Sequence, residues 1–518
     1  MPRPKLPGCQ SGKAFYWRLS YPSVPTMSQE FGLFIGGKWE VPPGAKRFVT
    51  KSPATGEELG SFVSATAADA RRAIEAAGQA FDGWRRTPPP KRGQILLEAA
   101  RIFKERKNDL GRLVTQEMGK ILPEGKGDVQ EAIDFVEYMS GEGRRLLGET
   151  VPSELRNKYC FTLRQPKGVV VAITPWNFPV AIPNWKIAAA LISGNTVVFK
   201  PASNTSRCGA ELTKVYEEAG LPPGVLNLLT GSGSAVGKEL TTHPLVRAVS
   251  FTGGTDTGRG VYTEAAQALK YVHLEMGGKN PQIVMDDADL DLALEGVLFG
   301  AFGSSGQRCT ATSRLLIQQS VYDRFLDMLL KRLTKFKVGN PLNDGIDMGP
   351  VASADQEKKI LGYIETGKSE GAKLVVGGKK LKGGAFDKGY FIEPTVFEAR
   401  HGMRITLEEI FGPVLSVIKV ADFDEAVRVA NGVDYGLSSS IYTRDVNRSF
   451  HAMERLEAGI TYINAPTIGA EVQLPFGGIK NTGNGGREAG TVAIEEFTEI
   501  KTVFVDFSAR LQKAQIEV

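Results

Sequence analysis

Apolar residues recur at Ala70, Ile74, Ala77, Phe81 and Trp84, in alternating steps of four and three. That spacing lays them along one face of an amphipathic helix. Thr66, followed three residues later by Asp69, supplies a capping-box start. A second helical stretch, rich in Leu, Ala, Lys and Glu, runs from about Lys91 to Glu117. From Val169 the rhythm changes to short β-branched runs separated by helical segments. The predicted order is strand Val169–Ile173, helix Pro183–Ile192, strand Thr196–Phe199, helix Thr205–Ala219 and strand Val225–Leu229. Helix Ala235–Thr242, strand Ala248–Phe251, helix Thr257–Leu269 and strand Tyr271–Leu274 follow. Pro183 in a first helical turn, and Gly194, Gly220 and Pro222 beyond helix ends, act as start and stop signals. Alternation on this scale predicts right-handed βαβ units and a parallel sheet covered on both faces.

Ligands of open α/β sheets sit beyond the carboxyl ends of the strands. The residues just past these strands are Asn177, Lys200, Gly231 with Gly233, Gly253 with Gly254, and Glu275. An amide, an ammonium, two glycine turns and a carboxylate at five strand ends predict a dinucleotide cleft. The glycine turns are weak signals singly, because loops need glycine anyway, but ahead of helix N-termini they suit a pyrophosphate. A second α/β block opens with strand Asn280–Met285 and a helix near Leu290–Phe302. It passes Gly306-Gln307-Arg308-Cys309 before strand Arg314–Gln318, and its alternation continues to about Leu456. The boundary between the blocks falls near Gly277-Gly278.

A chain of 518 residues suits roughly three domains and a core that needs neither disulfide nor metal. Its net charge of +5 is spread along the sequence, which argues against a nucleic-acid partner. No apolar run approaches the ~18 residues that span a bilayer, so no membrane association is expected. Four cysteines (Cys9, Cys160, Cys208, Cys309) are too few for a disulfide scaffold, and none has zinc-site spacing. A reducing, cytoplasmic compartment and no metal are expected. The histidines His243, His273, His401 and His451 show neither metal spacing nor triad logic and read as structural.

Three residues carry candidate chemistry. Cys309 lies in the small-residue loop Ser304-Ser305-Gly306-Gln307-Arg308-Cys309-Thr310, where a thiol can face a cleft and Arg308 can favour its thiolate. The alternative is a small buried hydrophobe, the reading taken for Cys160 and Cys208. Glu275 ends an apolar strand, where a carboxylate can act as a base near neutrality or simply join an ion pair. Asn177, between Pro175 and Pro179, can donate its amide to an oxyanion or merely cap a turn.

Together these stretches resemble the aldehyde dehydrogenase superfamily from about Phe31 to Val505. The matching motifs are Pro175-Trp176-Asn177-Phe178-Pro179, Val198-Phe199-Lys200-Pro201-Ala202, Phe251-Thr252-Gly253, and Leu274-Glu275-Met276-Gly277-Gly278-Lys279. Gly306-Gln307-Arg308-Cys309, Glu408-Glu409-Ile410-Phe411-Gly412-Pro413 and Pro475-Phe476-Gly477-Gly478 follow in the same order. The resemblance implies an α/β fold with a Rossmann-like parallel-sheet cofactor domain, a second α/β catalytic domain and a small β oligomerisation flap. It implies NAD(P)-dependent oxidation of an aldehyde to an acid. Cys309 is the implied nucleophile, Asn177 the oxyanion donor and Glu275 the base that activates water against a Cys309 thioester. The presence of Glu275 argues against the CoA-acylating branch. Implied cofactor residues are Ile173, Trp176, Lys200, Ser203, Gly233, Gly253, Gly254, Glu409 and Phe411. Two positions depart from the common pattern. Ser203 stands where NAD-preferring members carry glutamate, which predicts use of NADP, alone or alongside NAD. Gly254 replaces a serine, which puts one pyrophosphate contact in doubt. Details around Val180–Pro183 and Arg308–Arg314 are similar to the α-ketoglutaric semialdehyde dehydrogenase subgroup. Arg308 and Trp185 are the substrate candidates, Arg308 either as a carboxylate anchor or as a structural partner with a medium-chain or aromatic aldehyde as substrate. A cofactor-independent thiol hydrolase or esterase and a non-catalytic structural relative are the competing classes.

The expected organisation is a disordered extension over 1–26 (Met27 being a working start), a cofactor domain over 27–276 with oligomerisation strands near 150–166, and a catalytic domain over 277–480. Residues 481–507 return to the cofactor domain and add an oligomerisation strand, and 508–518 form a tail. Pairing of Tyr159–Gln165 and Lys501–Phe507 between subunits implies a homodimer or homotetramer.

Overall fold

The computed structural model describes residues 29–516; the expected extension over 1–26 lies outside the described residues. Two seven-stranded sheets organise the chain. In the first, the spatial order is Tyr271–Glu275, Val246–Thr252, Val169–Ile173, Thr196–Lys200, Leu226–Leu228, Leu33–Ile35 and Lys38–Glu40. The first five run parallel, as the βαβ rhythm predicts. The last two form an antiparallel hairpin through Gly36 and Gly37, both at positive φ, that the pattern did not foretell. The chain moves outward from Val169–Ile173 on one side, then resumes at Val246–Thr252 on the other. That reversal is a topological switch point, where an open α/β sheet binds its ligand.

Register brings the predicted positions to this edge. Ile173 pairs with Lys200 and with Phe251, and Thr252 pairs with Glu275. The second sheet has the order Lys373–Val376, Thr395–Glu398, Val414–Val420, Thr312–Gln318, Asn280–Val284, Ser438–Tyr442 and Ile460–Ile463. It is parallel except at Lys373–Val376. Only Met276–Lys279 separates Glu275, at a carboxyl end of the first sheet, from Asn280, at an amino end of the second. The reactive groups therefore meet where the two sheets face one another.

Helix Ala67–Arg86 starts on the capping box, with Asp69 N–H donating to Thr66 Oγ1 and Thr66 N–H to Asp69 Oδ2. The stretch from Lys91 to Glu117 is two helices, Pro89–Glu105 and Lys107–Met118, broken at Arg106. Ser232 caps Gly233–Thr242, which starts earlier than expected. Helices Ala181–Ile192 and Thr255–Ala266 also begin two residues early. A long helix, Leu122–Glu142, was not anticipated, since Pro123, Gly125 and Gly127 depress its propensity. Gly125 is required by packing: a Cβ there would lie 2.4 Å from the carbonyl oxygen of Gly111 on the neighbouring helix.

A separate three-stranded antiparallel sheet joins Thr150–Pro152, Lys158–Pro166 and Thr498–Asp506. Tyr159, Leu163, Ile500, Phe504 and Val505 on it are exposed. No helix among the described residues is long and apolar enough to cross a membrane.

Candidate active site

Cys309 is held by an unusual loop. Ser304, Ser305 and Gly306 adopt left-handed backbone at φ 50°, 57° and 67°. For the two serines this costs about 1–2 kcal/mol each. The cost is offset by fixed partners. Ser304 N–H donates to Glu124 Oε1 at 2.8 Å, and Ser305 Oγ to the Gly349 carbonyl at 2.9 Å. A Cβ at Gly306 would lie 2.2 Å from the Gly412 carbonyl oxygen, so only glycine fits. Asn280 Nδ2 holds the Cys309 carbonyl at 2.8 Å and the Ala311 carbonyl at 2.9 Å. Cys309 thus lies partly exposed in the loop ahead of strand Thr312–Gln318, packed beside the core that contains Trp185 and Phe476. Burial first, then the charges of Glu275 and Glu409, push its thiol above the usual range.

Glu275 is buried, and neither carboxylate oxygen has a hydrogen-bond partner. Its backbone is pinned: its carbonyl accepts from Gly253 N–H at 3.0 Å, and the next residue, Met276, donates to the Thr482 carbonyl at 2.7 Å. Gly477 makes room for the carboxylate, because a Cβ there would lie 2.5 Å from Oε1. Burial, then the charge of Glu488, raises Glu275 well above the usual carboxylate range. A buried carboxyl with unpartnered oxygens and a raised pKa has the chemistry that a general base needs, and it is not the member of a surface ion pair.

Asn177 is buried, and its Oδ1 has no hydrogen-bond partner among the described residues. Its loop abuts the other two. Phe178 stacks under Arg308 at 5.6 Å, and Trp176 packs edge-on against Phe411 at 5.4 Å. Glu409 Oε1 accepts from Gly278 N–H at 3.0 Å. Phe411 takes the left-handed conformation at φ 59°.

The cofactor candidates lie along the carboxyl edge of the first sheet. Lys200 is buried, and its Nζ donates to the Pro201 carbonyl at 2.7 Å. Burial lowers its pKa to about 8. Ser203 Oγ donates to the Gly231 carbonyl at 2.8 Å, keeping its lone pairs free to accept. Gly233 and Gly254 open two helices, with no atom within 4 Å of where a Cβ would lie. An ammonium with no carboxylate partner among the described residues, and two glycine-opened helix N-termini of which only that at Gly254 lacks a side-chain cap, fit an anionic dinucleotide.

The aldehyde dehydrogenase family matches residues 39–503. The chain belongs to that family. It is accordingly an NAD(P)-dependent aldehyde-oxidising enzyme of the α/β aldehyde dehydrogenase fold. The α-ketoglutaric semialdehyde dehydrogenase of Bacillus subtilis is 45% identical over 486 residues, covering 93% of this chain and 99% of that one. The 2,5-dioxopentanoate dehydrogenase of Saccharolobus solfataricus is 45% identical over 440 residues, 84% of this chain and 91% of that one. The crystal structure of betaine aldehyde dehydrogenase from Staphylococcus aureus in complex with NAD+ superposes with a TM-score of 0.91 at 35% identity, covering 93% of this chain and 95% of that one.

The aldehyde dehydrogenase site also holds residues that the sequence pattern did not single out. Lys186 follows Trp185 in a helix whose residues are all buried, and it is ion-paired with Glu488. A lone charge in so apolar a helix was the available signal. His273, read as structural, lies beside Glu275. Glu131 sits where its charge is felt by both Cys309 and Tyr462; burial first, then Asp128, pushes it up to about 8. Arg308 differs from a free anchor. Its Nη2 is paired with Glu124 Oε1 at 3.0 Å, and its guanidinium stacks on Phe178 and Phe299. Trp185 is buried with Nε1 unpartnered, edge-on to Phe476 at 5.0 Å.

Proposed function

We propose that Cys309, Glu275 and Asn177 perform the oxidation, acting on a short aldehyde that carries a 2-oxo carboxylate. The observation that carries the reading is the meeting of an accessible thiol and a partner-free buried carboxylate between two facing sheet edges. The Cys309 thiol gives its proton to Glu275 and bonds to the aldehyde carbon, forming a thiohemiacetal. Asn177 Nδ2 and the Cys309 backbone N–H hold the oxyanion, each such donor contributing about 2.7–4 kcal/mol. Bound NAD(P)+ supplies the hydride acceptor. Lys200, Ser203, Gly233, Gly253 and Gly254, with Ile173 and Trp176, would hold its adenosine and pyrophosphate portion, and Glu409 and Phe411 its nicotinamide side. Loss of hydride leaves a Cys309 thioester. Glu275 must first shed the proton it took from the thiol; it then takes a proton from water, whose oxygen adds to the thioester carbon and expels the thiolate.

The choice of substrate class is supported by the two relatives named for the same semialdehyde. Arg308 is committed to Glu124, so it shapes the entrance rather than serving as a free cation. The lack of a carboxylate at position 203 supports NADP as the preferred cofactor. Exposed apolar residues on the three-stranded sheet support its pairing with a second copy, in a homodimer or homotetramer, and the free thiols fit a cytoplasmic enzyme.

The decisive experiment is mass analysis of Glu275→Gln quenched after mixing with α-ketoglutaric semialdehyde and NADP. An acyl adduct on the Cys309 peptide is expected, and an unmodified peptide with cofactor reduced would refute the covalent route. Turnover of that semialdehyde should exceed that of hexanal; the reverse order would refute the substrate class.

A further inference from the structure

Behind Glu275 lies a buried polar chain that the steps above leave idle. His273 and Glu275 alternate on the strand Tyr271–Glu275 and so project from one face. His273 Nε2 lies 3.5 Å from Glu275 Oε1, and its Nδ1 lies 3.6 Å from Glu488 Oε1. Glu488 is ion-paired with Lys186, whose Nζ also donates to Ser250 Oγ at 2.9 Å. Exposure is 4% for His273, 2% for Glu275, 5% for Glu488 and 1% for Lys186, so water does not separate them from one another. Neither imidazole nitrogen and neither Glu275 oxygen has a hydrogen-bond partner. Each ring nitrogen thus faces one carboxylate at a distance slightly longer than a hydrogen bond. The ring is confined, since a Cβ at Gly486 would lie 2.2 Å from its Cδ2. Lys186, Arg487 and Lys167 are the cations that face it, and Glu496 is a further carboxylate beside Glu275. Burial, then Lys186, lowers the imidazole pKa to about 3, keeping the ring neutral with one donor and one acceptor.

We propose that His273 is a positioning residue that lets Glu275 and Glu488 share one proton, freeing Glu275 as a base when the thioester is hydrolysed. This rests on the covalent reading given above. The shared proton passes from Glu275 Oε1 to Nε2 while the Nδ1 proton passes to Glu488 Oε1. The imidazole stays neutral and changes tautomer, and no electrons are transferred to or from it. Glu275, now ionised, takes the proton of the attacking water, and Cys309 leaves as thiolate. When the acid product departs, Glu275 loses that proton to solvent through the emptied cavity. The Glu488 proton then returns by the same path and resets the ring. Two carboxylates and one ammonium in a single dry pocket hold one proton more readily than none, as coupled acids do.

The test uses the full-length enzyme with α-ketoglutaric semialdehyde and NADP under rapid mixing. His273→Gln and His273→Asn should keep a burst of reduced cofactor at the wild-type rate. Steady turnover per burst-competent subunit should fall by roughly 100-fold, the lower end of what a proton-transfer partner contributes. Its pH profile should shift to higher pH, because Glu275 can then lose its proton only directly to solvent. Normalising to the burst removes any misfolded fraction. In the wild type, turnover in mixtures of light and heavy water should bow, with more than one proton in flight. A linear inventory, or variants with unchanged turnover and pH profile, overturns the relay. Cofactor reduced by Glu275→Gln with no adduct on the Cys309 peptide would instead sink the covalent reading on which it depends.

Discussion

Replacing Ser203 with glutamate probes the cofactor edge most sharply. Ser203 Oγ donates to the Gly231 carbonyl at 2.8 Å and stands on the short turn that follows Lys200. No carboxylate pairs with Lys200 among the described residues, and burial alone accounts for its lowered pKa of about 8. Ser203→Glu places a negative charge beside a site that would otherwise accept a 2′-phosphate. Two unit charges about 5 Å apart at an effective dielectric constant of about 20 repel by about 3 kcal/mol. That corresponds to a loss of roughly 150-fold in affinity for NADP relative to NAD. Loss of the Gly231 contact costs about 1 kcal/mol and weakens both cofactors alike. Initial rates of cofactor reduction, measured with each dinucleotide at saturating aldehyde, give the two values of kcat/KM. Their ratio should move toward NAD by about two orders of magnitude. An unchanged ratio refutes the assignment of Ser203 to cofactor choice.

Asn177→Ala should lower kcat by about 10²–10³ with little change in KM, the signature of a donor used in the transition state; a KM effect alone would show a substrate-positioning role instead. The pH profile should rise toward alkaline pH, because thiolate and carboxylate are the active forms and both Cys309 and Glu275 have raised pKa values; a profile flat through neutrality contradicts this. Glu131 should be neutral below about pH 8 and anionic above it, so KM for an anionic semialdehyde should climb above that pH while KM for hexanal does not. Glu131→Gln should abolish the difference, and its persistence would remove Glu131 from the entrance. Thr66→Ala should cost about 1 kcal/mol by deleting a capping box, seen as a lower urea midpoint at an unchanged slope.

The βαβ half was legible because its information is local. β-branched runs, caps and glycine stops define the five parallel strands, and the strand register then places Ile173, Lys200, Phe251 and Glu275 at one edge. What escaped was set by distant parts of the chain. The strand Leu33–Ile35 is too short to announce itself and exists by pairing with Leu228. Helix Leu122–Glu142 carries Gly125, which its packing against Lys107–Met118 explains. The sequence left Arg308 open between a carboxylate anchor and a structural partner because Glu124 is remote, and it gave no sign that Glu488, from the far end of the chain, lies beside His273.

The roles given to Cys309 are tested most directly by rapid-mixing spectroscopy of Cys309→Ala with α-ketoglutaric semialdehyde and NADP. Both the burst and the steady production of reduced cofactor should vanish, while binding of NADP, followed by quenching of protein fluorescence, stays within about threefold of wild type. Reduced cofactor formed at a rate near that of the wild type would mean that hydride leaves without a bond to sulfur.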